Sequence, residues 1–317
     1  MTAASLNDLQ ASVLDRSAFT SLEDYLKLCG AFLGYVASDQ PTRIVSPSHP
    51  NYVFLQYGQA YGHKITRPLN SDLLLEEAAV FRGAFDRFAA FLGDLRKTGS
   101  GDALGESHAD YLGSNEINRI VYTLQQSIGC IGDSFDSPNQ SRKRVGQLFE
   151  NLIKLIIQEV GIECEPRTIN LPIPDFPGMT MPYELDLVFS RRQVIITSET
   201  NLLQPFEVVG SVKTTSKDRI DKVFLDKFLL TRLLGRQVPV VALFLHDVQR
   251  AARGNSIFSV SSTFKTNHFL GYSVALNRLD GVYYVDPRPE MVMDERLRSE
   301  IASFQHFLVH DLWTLTK

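Results

Sequence analysis

The 317-residue chain has few of the residues that mark a disulfide scaffold or a metal centre. Its three cysteines, Cys29, Cys130 and Cys164, lie far apart and form no CxxC pair, so they indicate reduced thiols. The seven histidines show no HxH or HExxH spacing. The sequence also lacks GxGxxG and GxxxxGK[ST], which argues against a nucleotide cofactor.

Long apolar runs and a basic net charge are missing as well. The longest apolar run, VPVVALFL at 238–245, suits a buried strand and falls short of the ~20 residues of a membrane helix. The opening residues, MTAASLNDLQ, lack the basic-then-apolar order of a signal peptide, so we expect a cytoplasmic protein with no membrane partner. The net charge of −4 excludes a broadly basic nucleic-acid binder but not a locally basic site.

The first part of the chain is predicted to be mainly helical. Apolar residues recur at helical spacing over 6–14, 22–36, 73–95 and 115–131, and 52–57 is a candidate short strand. Ser21, followed at the third position by Asp24, is a capping pattern for the second helix. The polar, turn-rich segment SFDSPNQSRKR at 134–144 is interpreted as the domain boundary, which gives regions 1–135 and 136–317.

In the second region strands alternate with helices. We expect a helix at 145–160 and another at 217–234 that ends at Gly235, with a last helix at 293–308. Candidate strands are 162–169, 184–189, 194–198, 206–212, 239–245, 271–275 and 281–285. This alternation predicts an α/β sheet.

Two charged residues interrupt apolar strands. Asp186 lies within YELDLVFS, where a carboxylate is costly unless it is paired, binds a cation or faces solvent across from Leu185 and Leu187. Lys213 closes the strand FEVVGSV. Its alternative interpretation is a surface lysine at the end of a buried strand, with its ammonium in solvent. A lysine beside a metal-bound carboxylate can orient or deprotonate an attacking water, so the pair suggests phosphodiester hydrolysis.

The acid and the lysine resemble the catalytic motif of PD-(D/E)XK nucleases, although Ser211 stands where the second acid is usual. A motif without the second acid resembles that of the type II restriction endonucleases that cut CCGG, CCNGG and CCWGG sites. In those enzymes the following helix supplies the missing acid. Asp226, 13 residues beyond Lys213, has that place, and Glu207 or Glu184 is the alternative. The resemblance implies a mixed α/β sheet flanked by helices, with a helical N-terminal region for DNA contact or dimer support.

The same resemblance implies further catalytic and metal-binding residues. Glu150 matches an acid on the helix before the first catalytic strand, and a solvent-facing helix residue is its other interpretation. The resemblance implies Mg²⁺ held by Asp186 and Asp226, catalysis by both with Lys213 and Glu150, and a homodimer on palindromic double-stranded DNA.

Lys217, Asp218 and Arg219 stand four, five and six residues beyond Lys213, which resembles the recognition triplet of EcoRII, PspGI and SsoII-like enzymes. Lysine and arginine donate to guanine and aspartate accepts from cytosine in the major groove, as two adjacent C·G pairs require. The alternative is a solvated, charged helix start. The basic residues expected to contact DNA phosphates are Arg142, Lys143, Arg144 and Lys222.

The implied activity is that of a prokaryotic type IIP restriction endonuclease. It would cut a CCNGG-type core, as TCCNGGA in PfoI-like enzymes, with the central nucleotides flipped out and 5′-phosphate ends. The alternatives are an uninterrupted CCGG reader, a non-catalytic DNA-binding protein and a repair nuclease of the same fold.

Overall fold

The computed structural model describes residues 4–105, 108–217 and 219–317, which divide into two compact units. The first comprises Met1–Phe91, Asp110–Leu152 and Val248–Thr263, and the second comprises Leu92–Ala109, Ile153–Asp247 and Phe264–Lys317. Both units are discontinuous in sequence. The boundary predicted between residues 135 and 136 therefore falls inside the first unit.

Helices and strands alternate through much of the chain. The helices are α1 (Leu6–Leu14), α2 (Leu22–Asp39), α3 (Ala78–Thr98), α4 (Ala109–Gly113), α5 (Glu116–Asp133), α6 (Pro138–Glu159), α7 (Ile220–Leu234), α8 (Thr266–Ala275), α9 (Pro289–Met293), α10 (Phe304–His306) and α11 (Leu312–Leu315), with a π turn at Phe307–Asp311 between the last two. The strands are β1 (Thr42–Val45), β2 (Tyr52–Gln56), β3 (Leu69–Asn70), β4 (Glu163–Pro172), β5 (Thr180–Ser190), β6 (Val208–Thr215), β7 (Val240–His246), β8 (Val248–Arg253), β9 (Ser256–Ser262), β10 (Gly281–Tyr284) and β11 (Ile301–Ser303).

The first two helices begin where the sequence predicts. Ser5 caps α1, with Asp8 completing a capping box, and Ser21 with Asp24 does the same for α2. The predicted helix at 73–95 begins later, at Ala78. The backbone N–H of Leu75 donates to Thr123 Oγ1 at 3.0 Å, so this stretch forms a non-helical connection that is bonded to α5.

The polar segment 134–144, predicted as a boundary loop, mostly forms the start of α6. Pro138 is the first helical residue, and Ser137 precedes it with its Oγ 3.4 Å from the N–H of Gln140. Proline at the first helical position loses no hydrogen bond, and serine before it accepts from an unpaired N–H. Turn-forming residues here begin a helix.

The first unit contains a hairpin that comes from far along the chain. Strands β8 and β9 pair antiparallel, and Val248 and Val260 form a small core with Tyr52 and Phe54 of β2. Sequence order gives no sign of this pairing, and the hairpin was not predicted.

The second unit is built on a mixed sheet with the order β11-β10-β7-β6-β5-β4. Strands β4, β5 and β6 are antiparallel neighbours, whereas β6, β7, β10 and β11 pair parallel. One face of the sheet packs on α7 and α8. The buried residues that form this core include Val209, Ala242, Phe244, Val223, Phe224, Leu230 and Phe269.

Three sequence predictions in this unit are wrong. The alternating residues 194–198 form no strand, because the buried Glu207 carboxylate accepts the N–H groups of Ile196 and Thr197 at 2.6 and 3.1 Å and fixes a loop. Residues 271–275 belong to α8, whose Phe269 packs on Phe224. The predicted helix at 293–308 is broken by β11, which adds an edge to the sheet.

Across the parts of the chain that the structure describes, no helix is both long and apolar enough to cross a bilayer. Cys29, Cys130 and Cys164 are buried free thiols, which agrees with their scattered positions in the sequence.

Candidate active site

Strand β6 carries Lys213 to its position beside Asp186. Its first five residues are buried, and it pairs antiparallel with β5 and parallel with β7. Gly210 lies opposite Leu187, and a Cβ there would stand 3.1 Å from the Phe189 ring. Glycine at this point therefore lets β6 approach β5 closely.

A bulge in β5 determines where Asp186 points. Val188 pairs with Glu165, but Leu185 pairs with Arg167, so Asp186 and Leu187 together oppose the single residue between them, Pro166. Proline has no N–H for the ladder and is tolerated at such a position on the edge strand β4. The expected alternation of Asp186 against Leu185 is thus interrupted, and both side chains line the same cleft.

One oxygen of Asp186 collects three donors from β6. Its Oδ2 accepts from Ser211 Oγ at 3.2 Å, from the Val212 N–H at 3.0 Å and from Lys213 Nζ. The Lys213 and Asp186 side chains are 24% and 23% exposed, so the pair is partly buried and open to the cleft. Within the described residues, these bonds leave Oδ1 of Asp186 without a protein donor.

Helix α7 brings Asp226 to the same cleft. Its carboxylate accepts from Tyr183 Oη and, at 2.8 and 3.0 Å, from Lys222 one turn earlier on the helix. Burial, followed by the hydrogen bond to Asp226, raises the pKa of Tyr183 well above its ordinary value. Tyr183 therefore stays a neutral donor to Asp226 at physiological pH.

The cleft joins residues from β5, β6, β7 and α7. It is lined by Tyr183, Glu184, Leu185, Asp186, Val209, Gly210, Ser211, Lys213, Lys222, Asp226, Leu230 and Val240. Three carboxylates and two ammonium groups line the cleft, and Lys213 and Lys222 balance the charges of Asp186 and Asp226.

This donor set fits a magnesium ion. Mg²⁺ is usually held by one or two carboxylates, with water and substrate phosphate completing its six positions. Asp186 and Asp226 supply two carboxylates in one cleft, and Oδ1 of Asp186 lacks a protein donor among the described residues. No group of three or more histidine, cysteine, aspartate or glutamate side chains placed to hold a metal occurs in the described ranges, so the rest of the shell would come from water and phosphate.

The acids considered as alternatives to Asp226, and the further predicted acid Glu150, have different surroundings. Glu207 is fully buried and accepts from the N–H groups of Ile196, Thr197 and Gln204 and from Thr197 Oγ1, which leaves it committed to the loop. Glu184 is exposed and lines the cleft. Glu150 lies half-buried on α6 in the first unit, and its role stays a prediction.

The predicted recognition triplet precedes α7 and does not form its first turn. Lys217 and Arg219 are exposed, Arg219 is the N-cap residue, and the helix begins at Ile220. Asp218 lies outside the described residues. The Arg219 N–H donates to Ser216 O at 3.2 Å, which ties this connection to the end of β6.

The basic residues predicted to contact DNA divide into two groups. Arg142 and Lys143 are exposed on the first turns of α6. Arg144 donates to backbone carbonyls of the N-terminal segment, and Lys222 pairs with Asp226 in the cleft.

Tyr183 is the cleft residue that sequence reasoning missed. It stands three residues before Asp186, a spacing that places side chains on opposite faces of a regular strand. The bulge at Asp186 and Leu187 interrupts this alternation, so Tyr183 reaches the cleft as well. Neither a motif nor a periodicity in the sequence marks the position of the bulge.

No family model matches the chain, and no curated protein matches it significantly. Among solved structures it is similar to the crystal structure of the type IIP restriction endonuclease Kpn2I, with a TM-score of 0.68 and 18% identity over 98% of this chain and 97% of that chain. The chain has a restriction-endonuclease fold. The restriction endonuclease PspGI bound to its substrate DNA also matches, with a TM-score of 0.41 and 12% identity over 63% of this chain and 80% of that one.

The likeness to the Kpn2I structure confirms the predicted fold class, a mixed α/β sheet flanked by helices. Because it extends over nearly all of both chains, it includes the first unit, most of which the family motifs did not cover.

Proposed function

We propose that this chain is a type IIP restriction endonuclease that cuts both strands of a palindromic DNA site in the presence of Mg²⁺. One observation carries the proposal: Asp186, Lys213 and Asp226, which come from three elements, line a single cleft. The likeness to a type IIP enzyme over 98% of the chain supports the same conclusion.

Asp186 and Asp226 would hold the metal. When bound, Mg²⁺ would stabilise the negative charge that develops on the scissile phosphate. Lys222, whose side chain is 58% exposed, can leave Asp226 at little cost, because a pair with so exposed a partner contributes about 0–1 kcal/mol. Glu150 is proposed as an outer-shell acid.

Lys213 would position the attacking water and the phosphate. Its Nζ is fixed by Asp186, so the ammonium is oriented before DNA arrives. The water oxygen bonds to phosphorus in line with the P–O3′ bond, which breaks; the proton of the attacking water passes to a phosphate oxygen or to solvent, and the departing O3′ takes a proton from solvent water. The products are a 5′-phosphate and a 3′-hydroxyl.

The triplet before α7 would read the bases. Lys217 and Arg219 are exposed and would donate to guanines, and Asp218 would accept from a cytosine. We propose a CCNGG-type core, with TCCNGGA as its extended form and the central nucleotides flipped out of the helix. A palindrome presents the same half-site twice, so a homodimer would supply one reader for each copy.

Two alternatives are kept. An uninterrupted CCGG core would use the same fold and the same three catalytic side chains, although CCGG readers space their recognition residues differently. A non-catalytic DNA-binding protein is favoured by Asp226, both of whose oxygens already accept from Lys222 or Tyr183.

Sequencing the ends of a digested plasmid library tests the proposal. We expect Mg²⁺-dependent cuts at one palindromic sequence in which CC and GG flank an unspecified central base pair. Cuts at CCGG support the first alternative, whereas tight, specific binding without cleavage supports the second. Cuts that follow branches or lesions instead of a sequence would indicate a repair nuclease.

A further inference from the structure

The first unit contains a polar pocket that is separate from the cleft of the second unit. It lies between the segment that follows α1 and one face of α6. Its lining consists of Arg16, Phe19, Arg144, Gln147, Leu148 and Asn151.

Arg144 is held in place at this pocket by the N-terminal segment. Its Nε donates to Val13 O at 2.6 Å, and one terminal nitrogen donates to Asp15 O at 2.7 Å. The guanidinium lies 5.8 Å from the centre of the Phe19 ring. These bonds use two of the five N–H donors of an arginine and fix the orientation of the others.

Arg16 adds a second positive charge without a compensating partner. It is exposed, and its guanidinium forms no hydrogen bond or ion pair with any residue that the structure describes. Burial lowers the pKa of Arg144, and the nearby charge of Arg16 acts in the same direction. Two guanidinium groups that line one pocket repel each other unless an anion lies between them.

The carboxylate of Asp15, which precedes Arg16 in the sequence, forms no ion pair with either arginine among the described residues. The carboxylate of Asp15 accepts from the N–H of Ser17 at 2.9 Å and from its hydroxyl at 2.7 Å, and this turn holds it. Gln147 is exposed on the lining and offers an amide N–H₂. It lies three residues before Glu150 on α6, so the pocket and Glu150 share one side of the helix.

We propose that this pocket binds a phosphate group through Arg16 and Arg144, with Gln147 as an additional donor. Guanidinium groups match phosphate geometry with paired N–H donors, and a tetrahedral anion can accept from both arginines at once. The phosphate is either one of the DNA backbone or a free phosphate ion. The DNA source rests on the proposed function, whereas the pocket itself does not.

The test compares wild type with Arg16→Ala. Arg144 is unsuitable for substitution because it holds the N-terminal segment. Arg82→Ala is the matched control, since it removes the same charge from the same unit at an arginine that already pairs with Asp86 and Glu23.

Binding of a 20-base-pair duplex is measured between 50 and 200 mM salt without divalent metal. Thermal unfolding is measured with added inorganic phosphate at constant ionic strength.

For a backbone phosphate, we expect Arg16→Ala to reduce the slope of log affinity against log salt by about 0.9 for each bound subunit, which is about 1.8 for the proposed homodimer. The advantage of wild type would then shrink about 12-fold between 50 and 200 mM salt, and Arg82→Ala would match wild type. For a free phosphate, inorganic phosphate would raise the unfolding temperature of wild type but not of Arg16→Ala.

If Arg16→Ala keeps both the wild-type salt slope and the wild-type response to inorganic phosphate, the pocket is not a phosphate site. If wild type binds no duplex at all, the proposed function fails. The thermal unfolding with inorganic phosphate is then the measurement that tests whether the pocket binds phosphate.

Discussion

The substitution Asp226→Asn tests the acid that the helix supplies. Asparagine keeps the shape of the side chain and an oxygen that can accept from Tyr183, but it removes the negative charge. The ion pair with Lys222 is lost, and because Lys222 is 58% exposed this costs about 0–1 kcal/mol of stability. The variant should therefore fold like wild type.

The expected loss is catalytic. A carboxylate that holds Mg²⁺ contributes several kcal/mol to charge stabilisation, and part of this is offset because Asp226 must first leave Lys222. We take a net loss of about 3 kcal/mol, which corresponds to a fall of about 10²-fold in the cleavage rate. Raising the Mg²⁺ concentration should recover part of the loss, because the remaining site binds the ion more weakly.

The assay follows the linearisation of a supercoiled plasmid against Mg²⁺ concentration for wild type, Asp226→Asn and Asp221→Asn. Asp221 is an exposed aspartate in the first turn of the same helix and does not line the cleft, so it is the matched control. The control should cut at the wild-type rate. An Asp226→Asn rate within about threefold of wild type at every Mg²⁺ concentration would refute the assignment.

Three further predictions concern other parts of the molecule. Lys213→Met should lower the cleavage rate by about 10²- to 10⁴-fold while DNA affinity, measured by filter binding without Mg²⁺, stays within about threefold of wild type; an equal loss of both would point to a binding role. Glu207→Ala should lower the free energy of unfolding by about 3 kcal/mol, because it removes a buried acceptor of three N–H groups, and urea unfolding at the wild-type midpoint would contradict this. Burial raises the pKa of Cys29 to about 12 from 9.0, so its contribution to stability is complete below pH 9 and is lost as the pH rises towards 12. Urea midpoints that stay constant from pH 8 to pH 11 would contradict that last prediction.

Local sequence signals were sufficient to predict those elements whose ends are fixed by their own residues. Helix α1 has the predicted bounds because Ser5 and Asp8 form its capping box, and α7 ends before Gly235, which has a φ of 67°. The run at 239–245 is a strand because it lies in the middle of a sheet, where apolar residues are needed on both faces.

Tertiary contacts decided the elements that were predicted wrongly. Val194 and Ile196 alternate like a strand, but they are exposed and the Glu207 carboxylate holds their loop. The hairpin of β8 and β9 packs in the first unit, although the chain on both sides of it belongs to the second. Such contacts join residues distant in sequence, and no periodicity records them.

The candidate site was predicted only in part. Asp186 and Lys213 stood out because charges in apolar strands need a partner, and the structure pairs them. Asp226 was found through the family resemblance, since an aspartate on a helix has no signal of its own. Tyr183 could not be found, because its place depends on the bulge opposite Pro166.

The most direct test of the central claim is plasmid linearisation by wild type with Mg²⁺, by wild type with EDTA, and by Asp186→Asn with Mg²⁺. We predict linear product with matched ends in the first reaction alone. Equal cleavage by Asp186→Asn, or cleavage by wild type in EDTA at the rate seen with Mg²⁺, would contradict a metal-dependent site at Asp186.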